Sequence, residues 1–370
     1  MIESKAAFSG LNNVDEAFED LCNQLGDDEP KLIIFSSEFS MFKSLTEAFS
    51  KEFPTCTVIG TSSYVQFCDK GCSTQGAGAL AIYKGIECAS GVLLDAAHYP
   101  MRYSKAVTDA VDRLSDTENT ICMEFSSAFC GCEETIQDTF RTLLVPRGIP
   151  VFGGSAGCNP TERNTAISLD GKIYEEASVF VFIKNLGGKI RVFKENLFKP
   201  TAHFFTATDV DCDERAVYEF DEIPATEAYA NALNVPVDKI EEAREMHPLG
   251  RISDKEIYIA EICETDTESG RITCYSRIYN RTKLAVMEVD DMDEVWDDTA
   301  KRVKEEIPTP SLSLCVNCTS RASYFVKEGR LEDFNNKLKD EYGSFFGISG
   351  FGEQTNYEHL NMSFLIAAFE

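Results

Sequence analysis

One order of elements recurs three times along the chain, and such recurrence constrains the fold more tightly than any bulk property. Each copy reads hydrophobic strand, Ser/Thr-rich end, amphipathic helix, hydrophobic strand, then Gly-x-Ser. The first runs Leu32-Ile33-Ile34-Phe35-Ser36-Ser37, a helical stretch from about Met41 to Phe53, then Val58-Ile59-Gly60-Thr61-Ser62-Ser63. The second runs Ile121-Cys122-Met123-Glu124-Phe125-Ser126-Ser127, a helix across Glu133 to Leu144, then Val151-Phe152-Gly153-Gly154-Ser155. The third runs Leu314-Cys315-Val316-Asn317-Cys318-Thr319-Ser320, a helix from Ala322 to Leu338, then Phe345-Phe346-Gly347-Ile348-Ser349-Gly350. A further strand follows each copy, at Ala79 to Tyr83, Val179 to Ile183 and Phe364 to Ala368. The building block is therefore β-α-β-β, and the expected fold is α/β (mixed α+β) with mixed sheets built from three such repeats.

A chain of 370 residues suits two domains. Pro224, Pro236 and Pro248 punctuate short helices, which places the boundary near Glu222: residues 1–222 hold two repeats plus hairpins, and residues 223–370 hold the third. Hairpin turns are expected at Lys84-Gly85, Asp170-Gly171 and Gly187-Gly188. The small, polar text between Gly60 and Gly78 predicts a loop.

The formal net charge of −27 repels phosphate backbones and anionic membrane surfaces, so neither nucleic acid nor membrane is an expected partner. The first ten residues lack a signal peptide's apolar core, and no run of about 18 apolar residues occurs, which makes a cytoplasmic protein the expectation. The fourteen cysteines are scattered and mostly lie in apolar text, as reduced core residues do. Cys68-x3-Cys72, Cys130-x-Cys132 and Cys315-x2-Cys318 do not make the paired Cys-x2-Cys spacing of a structural zinc site, so no metal is expected. Cys318 precedes a helix start, where a thiol pKa falls, but Cys315 belongs to the strand pattern and points inward.

A strand ending in Gly-x-Ser brings bare backbone and a hydroxyl to the place where α/β sheets bind ligands. Turn chemistry favours the same residues. Gly60, Ser62, Gly153, Ser155 and Ser349 are thus candidates for either role. Gly153-Gly154-Ser155-Ala156-Gly157 spells the nucleophile elbow, which makes a Ser155 hydrolase an alternative, although Pro160 and a hairpin follow where a helix should. No Gly-x-Gly-x-x-Gly or Walker loop is present. The histidines, His98, His203, His247 and His359, are isolated from one another, and haem ligation by one of them stays open. The densest polar constellation is Arg321, Glu353, Asn356, His359 and Asn361. In a βαβ unit Arg321 and Glu353 come to the same strand ends, either to pair with each other or to clamp the carboxylate and amine of a small zwitterion.

Val58-Ile59-Gly60-Thr61-Ser62-Ser63, Pro150-Val151-Phe152-Gly153-Gly154-Ser155-Ala156-Gly157, His247-Pro248-Leu249-Gly250, Cys318-Thr319-Ser320-Arg321, Gly352-Glu353 and His359-Leu360-Asn361-Met362-Ser363 resemble, in order and spacing, the FIST family (F-box and intracellular signal transduction proteins). The resemblance covers nearly the full length, as an N-terminal and a C-terminal module. The family usually carries Gly-Cys-Ser-Thr-x-Gly-Glu at the first site; here Thr61 replaces the cysteine and Gln66 stands near the expected glutamate, while the literal Gly71-Cys72-Ser73-Thr74 comes too late. The resemblance implies a cytosolic sensory protein, not an enzyme, that binds an amino acid or similar metabolite without a cofactor. It also implies signalling through a histidine kinase, cyclic-dinucleotide enzyme or chemoreceptor, with a haem-based nitric oxide sensor as the alternative. A ligand pocket at the strand ends is expected to draw on Ser62, Ser155, Arg321, Glu353 and Asn361.

Overall fold

Strands that read as unbroken apolar text need cover on both faces. The computed structural model, which describes residues 2–253 and 256–370, supplies that cover by sheet on one face and helix on the other. It is an α/β fold of mixed sheets in two domains, with nine helices and 26 strands among the described residues.

In chain order, β1 (Glu3–Ser9) leads to α1 (Val14–Leu25), whose Asn13 cap accepts from Glu16 N. Repeat one is β2 (Leu32–Ser37), α2 (Phe39–Glu52) and β3 (Thr57–Ser62), followed by β4 (Gln66–Cys68), β5 (Gly71–Ser73) and β6 (Ala77–Lys84). β7 (Ile86–Leu93) and α3 (Ser104–Val111) lead to repeat two: β8 (Thr120–Ser126), α4 (Glu133–Leu144), β9 (Val151–Ser155), β10 (Ile167–Leu169), β11 (Lys172–Tyr174) and β12 (Ser178–Asn185). After β13 (Ile190–Asn196) come β14 (Phe198–Asp211), β15 (Ala216–Phe220), β16 (Ile223–Pro224), α5 (Ala225–Leu233), α6 (Ile240–Ala243), β17 (Leu249–Ser253), β18 (Glu256–Ala260), β19 (Ile262–Asp266), β20 (Arg271–Cys274), β21 (Lys283–Val289) and α7 (Met292–Glu306). Repeat three is β22 (Leu312–Cys318), α8 (Thr319–Lys327), α9 (Leu331–Tyr342), β23 (Phe345–Gly350), β24 (Glu353–Thr355), β25 (Glu358–Leu360) and β26 (Ser363–Phe369).

The repeats build three six-stranded sheets on one plan. Their centres are β6-β2-β3, β12-β8-β9 and β26-β22-β23. In each, the two strands flanking the helical connection are parallel, in register from Leu32↔Thr57, Cys122↔Val151 and Ser313↔Phe345, and the third strand is antiparallel. The next place in each sheet is filled by the hairpin of another repeat. β10–β11 of repeat two pairs with β3, β24–β25 of repeat three with β9, and β4–β5 of repeat one with β23. The exchange is cyclic, so each repeat completes the sheet of its predecessor and the third is completed by the first.

This plan corrects several expectations. The text between Gly60 and Gly78 is the β4–β5 hairpin, not a loop. Asp170-Gly171 is a hairpin turn, with both residues at positive φ. Lys84-Gly85 and Gly187-Gly188 are not: β1 and β2 already occupy both edges of β6, and β7 and β8 both edges of β12, so β7 and β13 must enter other sheets. A turn dipeptide reverses the chain without choosing its partner. The helix of repeat three is two helices, separated where Gly329 takes φ 66°.

By compactness, Met1–Lys194, Asp298–His359 and Phe364–Glu370 form one unit, and Glu195–Asp297 with Leu360–Ser363 the other. The larger unit thus takes residues from both sides of Glu222. The smaller is an antiparallel sheet in the order β18-β17-β21-β14-β15-β20-β19, with α5 packing Tyr229 among Val217, Phe220 and Ile272. Tyr229 donates to the His247 carbonyl at 2.5 Å, and Gly250 leaves room for the Met287 thioether. Among the described residues no helix is long and apolar enough to cross a membrane.

Each Gly-x-Ser lies where the chain leaves its own sheet for that of a neighbour, and there the repeats are bonded to one another. Gly157 N donates to Ser62 O at 2.8 Å, Tyr64 N to Ser349 O at 3.2 Å and Ser155 N to Gly352 O at 2.9 Å. The backbones approach closely: a Cβ on Gly157 would stand 2.0 Å from Ser349 O and 3.2 Å from Gly350 Cα. Because both obstacles are backbone, Gly157→Ala is expected to cost roughly 1–3 kcal/mol, as overpacking does. The check is the midpoint of urea unfolding, and an unshifted midpoint counts against the close crossing.

Candidate ligand-binding site

The glycines and serines of the three repeats occupy equivalent places, so what each place does can be compared. All three first glycines make room for packing. A Cβ would fall 2.2 Å from the Phe35 ring at Gly60, 2.0 Å from Glu124 O at Gly153 and 2.1 Å from the Phe67 ring at Gly347. The serines are fully buried, not set at an open mouth. Ser62 Oγ accepts from Ala166 N at 2.9 Å, and its register partner Ser37 donates to Glu38 O at 3.0 Å. Ser155 Oγ accepts from Gln354 Nε2 at 3.1 Å, and its partner Ser126 donates to Glu124 at 2.5 Å. Gln354 Nε2 also meets His359 Nδ1 at 3.2 Å. Ser155 thus faces an amide donor, which is not a base, and the nucleophile-elbow reading gains no support.

The third repeat breaks the pattern. Its register pair is Ser349 and Asn317, side by side on parallel strands and therefore on one face. Ser349 Oγ and Asn317 Oδ1 are buried with no hydrogen-bond partner in the protein, as is Thr319 Oγ1 at the first residue of α8. Ser349 N is satisfied by Ser63 Oγ at 2.8 Å, so only the side chain is left over. Buried polar atoms are normally paired. Asn317 and Ser349 are register partners at the end of the parallel pair, and Thr319 follows two residues beyond Asn317.

Arg321 lies beside them. The strand runs into α8 without a loop, Cys318 being the extended N-cap, so Arg321 is in the first turn and is 1% exposed. Its guanidinium stands 5.2 Å from the Phe325 ring, 5.8 Å from Phe334 and 5.7 Å from Phe364. Phe364 is the β26 residue opposite Asn317, so Arg321 shares the face that carries Asn317 and Ser349. Aromatic faces attract a cation and exclude water, which strengthens its field.

The remaining candidates are placed as follows. Glu353 is buried at the start of β24, opposite Gly154, whose Cβ position is 2.7 Å from Val316 Cγ1 of β22. Asn361 is buried in Leu360–Ser363, the segment grouped with the smaller unit. His98 pairs with Asp95 at 3.3 Å, and His247 Nδ1 lies 3.0 Å from Met287 O. Among the described residues no group of three or more His, Cys, Asp or Glu is placed to hold a metal ion.

With this geometry in view, the comparison with known families is decisive. The chain matches the FIST N domain over residues 31–223 and the FIST C domain over residues 225–356. The protein belongs to the FIST family. FIST domains are sensory domains of signal transduction, not a catalytic family. No curated protein matches the chain.

Sequence reasoning passed over Asn317 and Thr319, for which the available signal was an amide interrupting an apolar strand. It also passed over Glu124 as a site in itself. Glu124 lies fully buried under α4, receiving Ser126 Oγ, Ser178 Oγ at 2.8 Å and Gln137 Nε2 at 3.0 Å. Burial pushes its carboxyl up to about 7 against these donors, with Glu133 adding to the rise. The folded carboxyl therefore keeps a proton that the unfolded chain releases near 4.5. Its stabilising contribution is complete below that pH and lost as pH rises through 7, roughly 3 kcal/mol in all. Glu124→Gln should flatten this dependence, gaining on the parent protein between pH 5 and pH 8 in urea unfolding. Parallel curves would rule out the raised carboxyl.

Proposed function

We propose that this FIST protein is a sensor for a small zwitterionic metabolite, an amino acid or a close relative, bound at the β22 and β23 strand ends. The observation that carries the reading is that Asn317 Oδ1 and Ser349 Oγ, side by side and buried without protein partners, lie on the face that holds the buried Arg321 guanidinium, with Thr319 Oγ1 likewise unpartnered two residues beyond Asn317. A carboxylate is matched by the guanidinium fork and an ammonium group by carbonyl and hydroxyl acceptors. Glu353 is the acidic group that would complete such a clamp. Its signal passes to a partner protein of the histidine-kinase, cyclic-dinucleotide-enzyme or chemoreceptor kind, in the cytoplasm.

The test is thermal shift against a panel of amino acids and small carboxylates. A ligand present at about 100 times its Kd adds about 2.7 kcal/mol of stability and so a readable rise in Tm. Ser349→Ala removes a buried hydroxyl without a partner, so its ligand-free stability should hold or improve while affinity falls about tenfold, the worth of roughly 1.4 kcal/mol. A flat response across the panel, or binding untouched by Ser349→Ala, sinks the assignment.

A further inference from the structure

The segment joining β8 to α4 reads Ser127-Ala128-Phe129-Cys130-Gly131-Cys132, and its two thiols lie against each other. The Sγ atoms lie 2.7 Å apart. A disulfide bond measures about 2.05 Å, so bonding closes the gap by only about 0.7 Å. The backbone brings this about: Phe129 and Gly131 both take positive φ, 64° and 63°, folding the chain back so that both thiols reach Ser127 O, at 3.4 and 3.7 Å. Gly131 is exposed, and nothing stands within 4 Å of its Cβ position. Cys130 is half-buried and Cys132 buried, as the N-cap of the twelve-residue α4. A half-buried cysteine beside an exposed glycine is thus backed by a buried one. Either sulfur can donate in this contact; with Cys132 as donor, the bond holds Cys130 below the usual thiol range, while the same bond, burial and Glu133 push Cys132 well above it.

We propose that Cys130 and Cys132 form a reversible dithiol–disulfide pair that exchanges with a low-molecular-weight disulfide. Cys130 Sγ, as thiolate, attacks one sulfur of the small disulfide RSSR, forming a Cys130–SR bond and expelling RS⁻. Cys132, on giving up its proton, attacks Cys130 Sγ, breaks that bond and expels the second RS⁻. The two protein thiols lose two electrons, RSSR becomes two RSH, and the two protons released by the cysteines end on them. The site is independent of the ligand reading above. Phe129, next to Cys130, packs on Phe351 at 4.5 Å between ring centroids, beside the Gly352 carbonyl that receives Ser155 N, so the pair adjoins one of the crossings between repeats.

The test takes the full reduced chain, exposes it to oxidised glutathione, blocks free thiols with N-ethylmaleimide and maps peptides by mass spectrometry. The peptide holding Cys130 and Cys132 should lose two hydrogens, escape blocking and revert under dithiothreitol. In Cys132→Ser, where the hydroxyl remains a donor but cannot resolve the adduct, glutathione should stay on Cys130. It should arrive there at least about tenfold faster than on Cys158, whose thiol burial pushes up to about 11. Blocking of both cysteines after exposure, or an unmodified Cys130 in the variant, overturns the proposal. Oxidation by hydrogen peroxide but not by oxidised glutathione overturns the exchange chemistry.

Discussion

Three backbone hydrogen bonds join the repeats of the larger unit where their chain segments cross. Where each chain segment leaves its sheet, its peptide groups have lost their ladder partners, and a buried peptide group left alone costs about as much as a lost hydrogen bond. Ser62 O, Ser349 O and Ser155 N find partners on the next crossing segment. That requirement explains why glycine and serine recur there. Glycine permits approach to another backbone, and serine keeps a small side chain able to bond locally, through Ser62 to Ala166 and Ser155 to Gln354.

The same requirement explains where chemistry is free to diverge. The crossings are held by backbone bonds and by small serines, which leaves the rest of the face toward the helices for packing or recognition. Repeat one fills its face with Phe35, Phe42 and Phe49. Repeat two buries a carboxyl, Glu124, and satisfies it with three donors. Repeat three buries a cation among three phenylalanines and leaves amide and hydroxyl atoms over.

Much of this was legible in the residues. The three parallel strand pairs follow from apolar runs joined by helices, and Asp170-Gly171 announced its turn. The exchange of hairpins was not legible, because β4 and β24 are three-residue strands whose partners lie in other repeats, and no local pattern encodes a partner. The error at Lys84-Gly85 has the same root: edge occupancy decides pairing, and edges exist only in the assembled sheet. Ser349 and Arg321 were visible as candidates, whereas Asn317 gained its meaning only from a register that sets it beside Ser349.

The cyclic exchange also has a consequence for biosynthesis. β4 emerges from the ribosome well before its partner β23, since Gln66 is set opposite Ile348. Pairings so distant in sequence are slow to form. Until the last repeat is made, β9 lacks β24 and the β4–β5 hairpin has no sheet to join, which leaves open strand edges of the kind that invite aggregation. The ring closes only after translation of its third member, so the larger unit is expected to fold late and as a whole, with no stable one-repeat or two-repeat precursor.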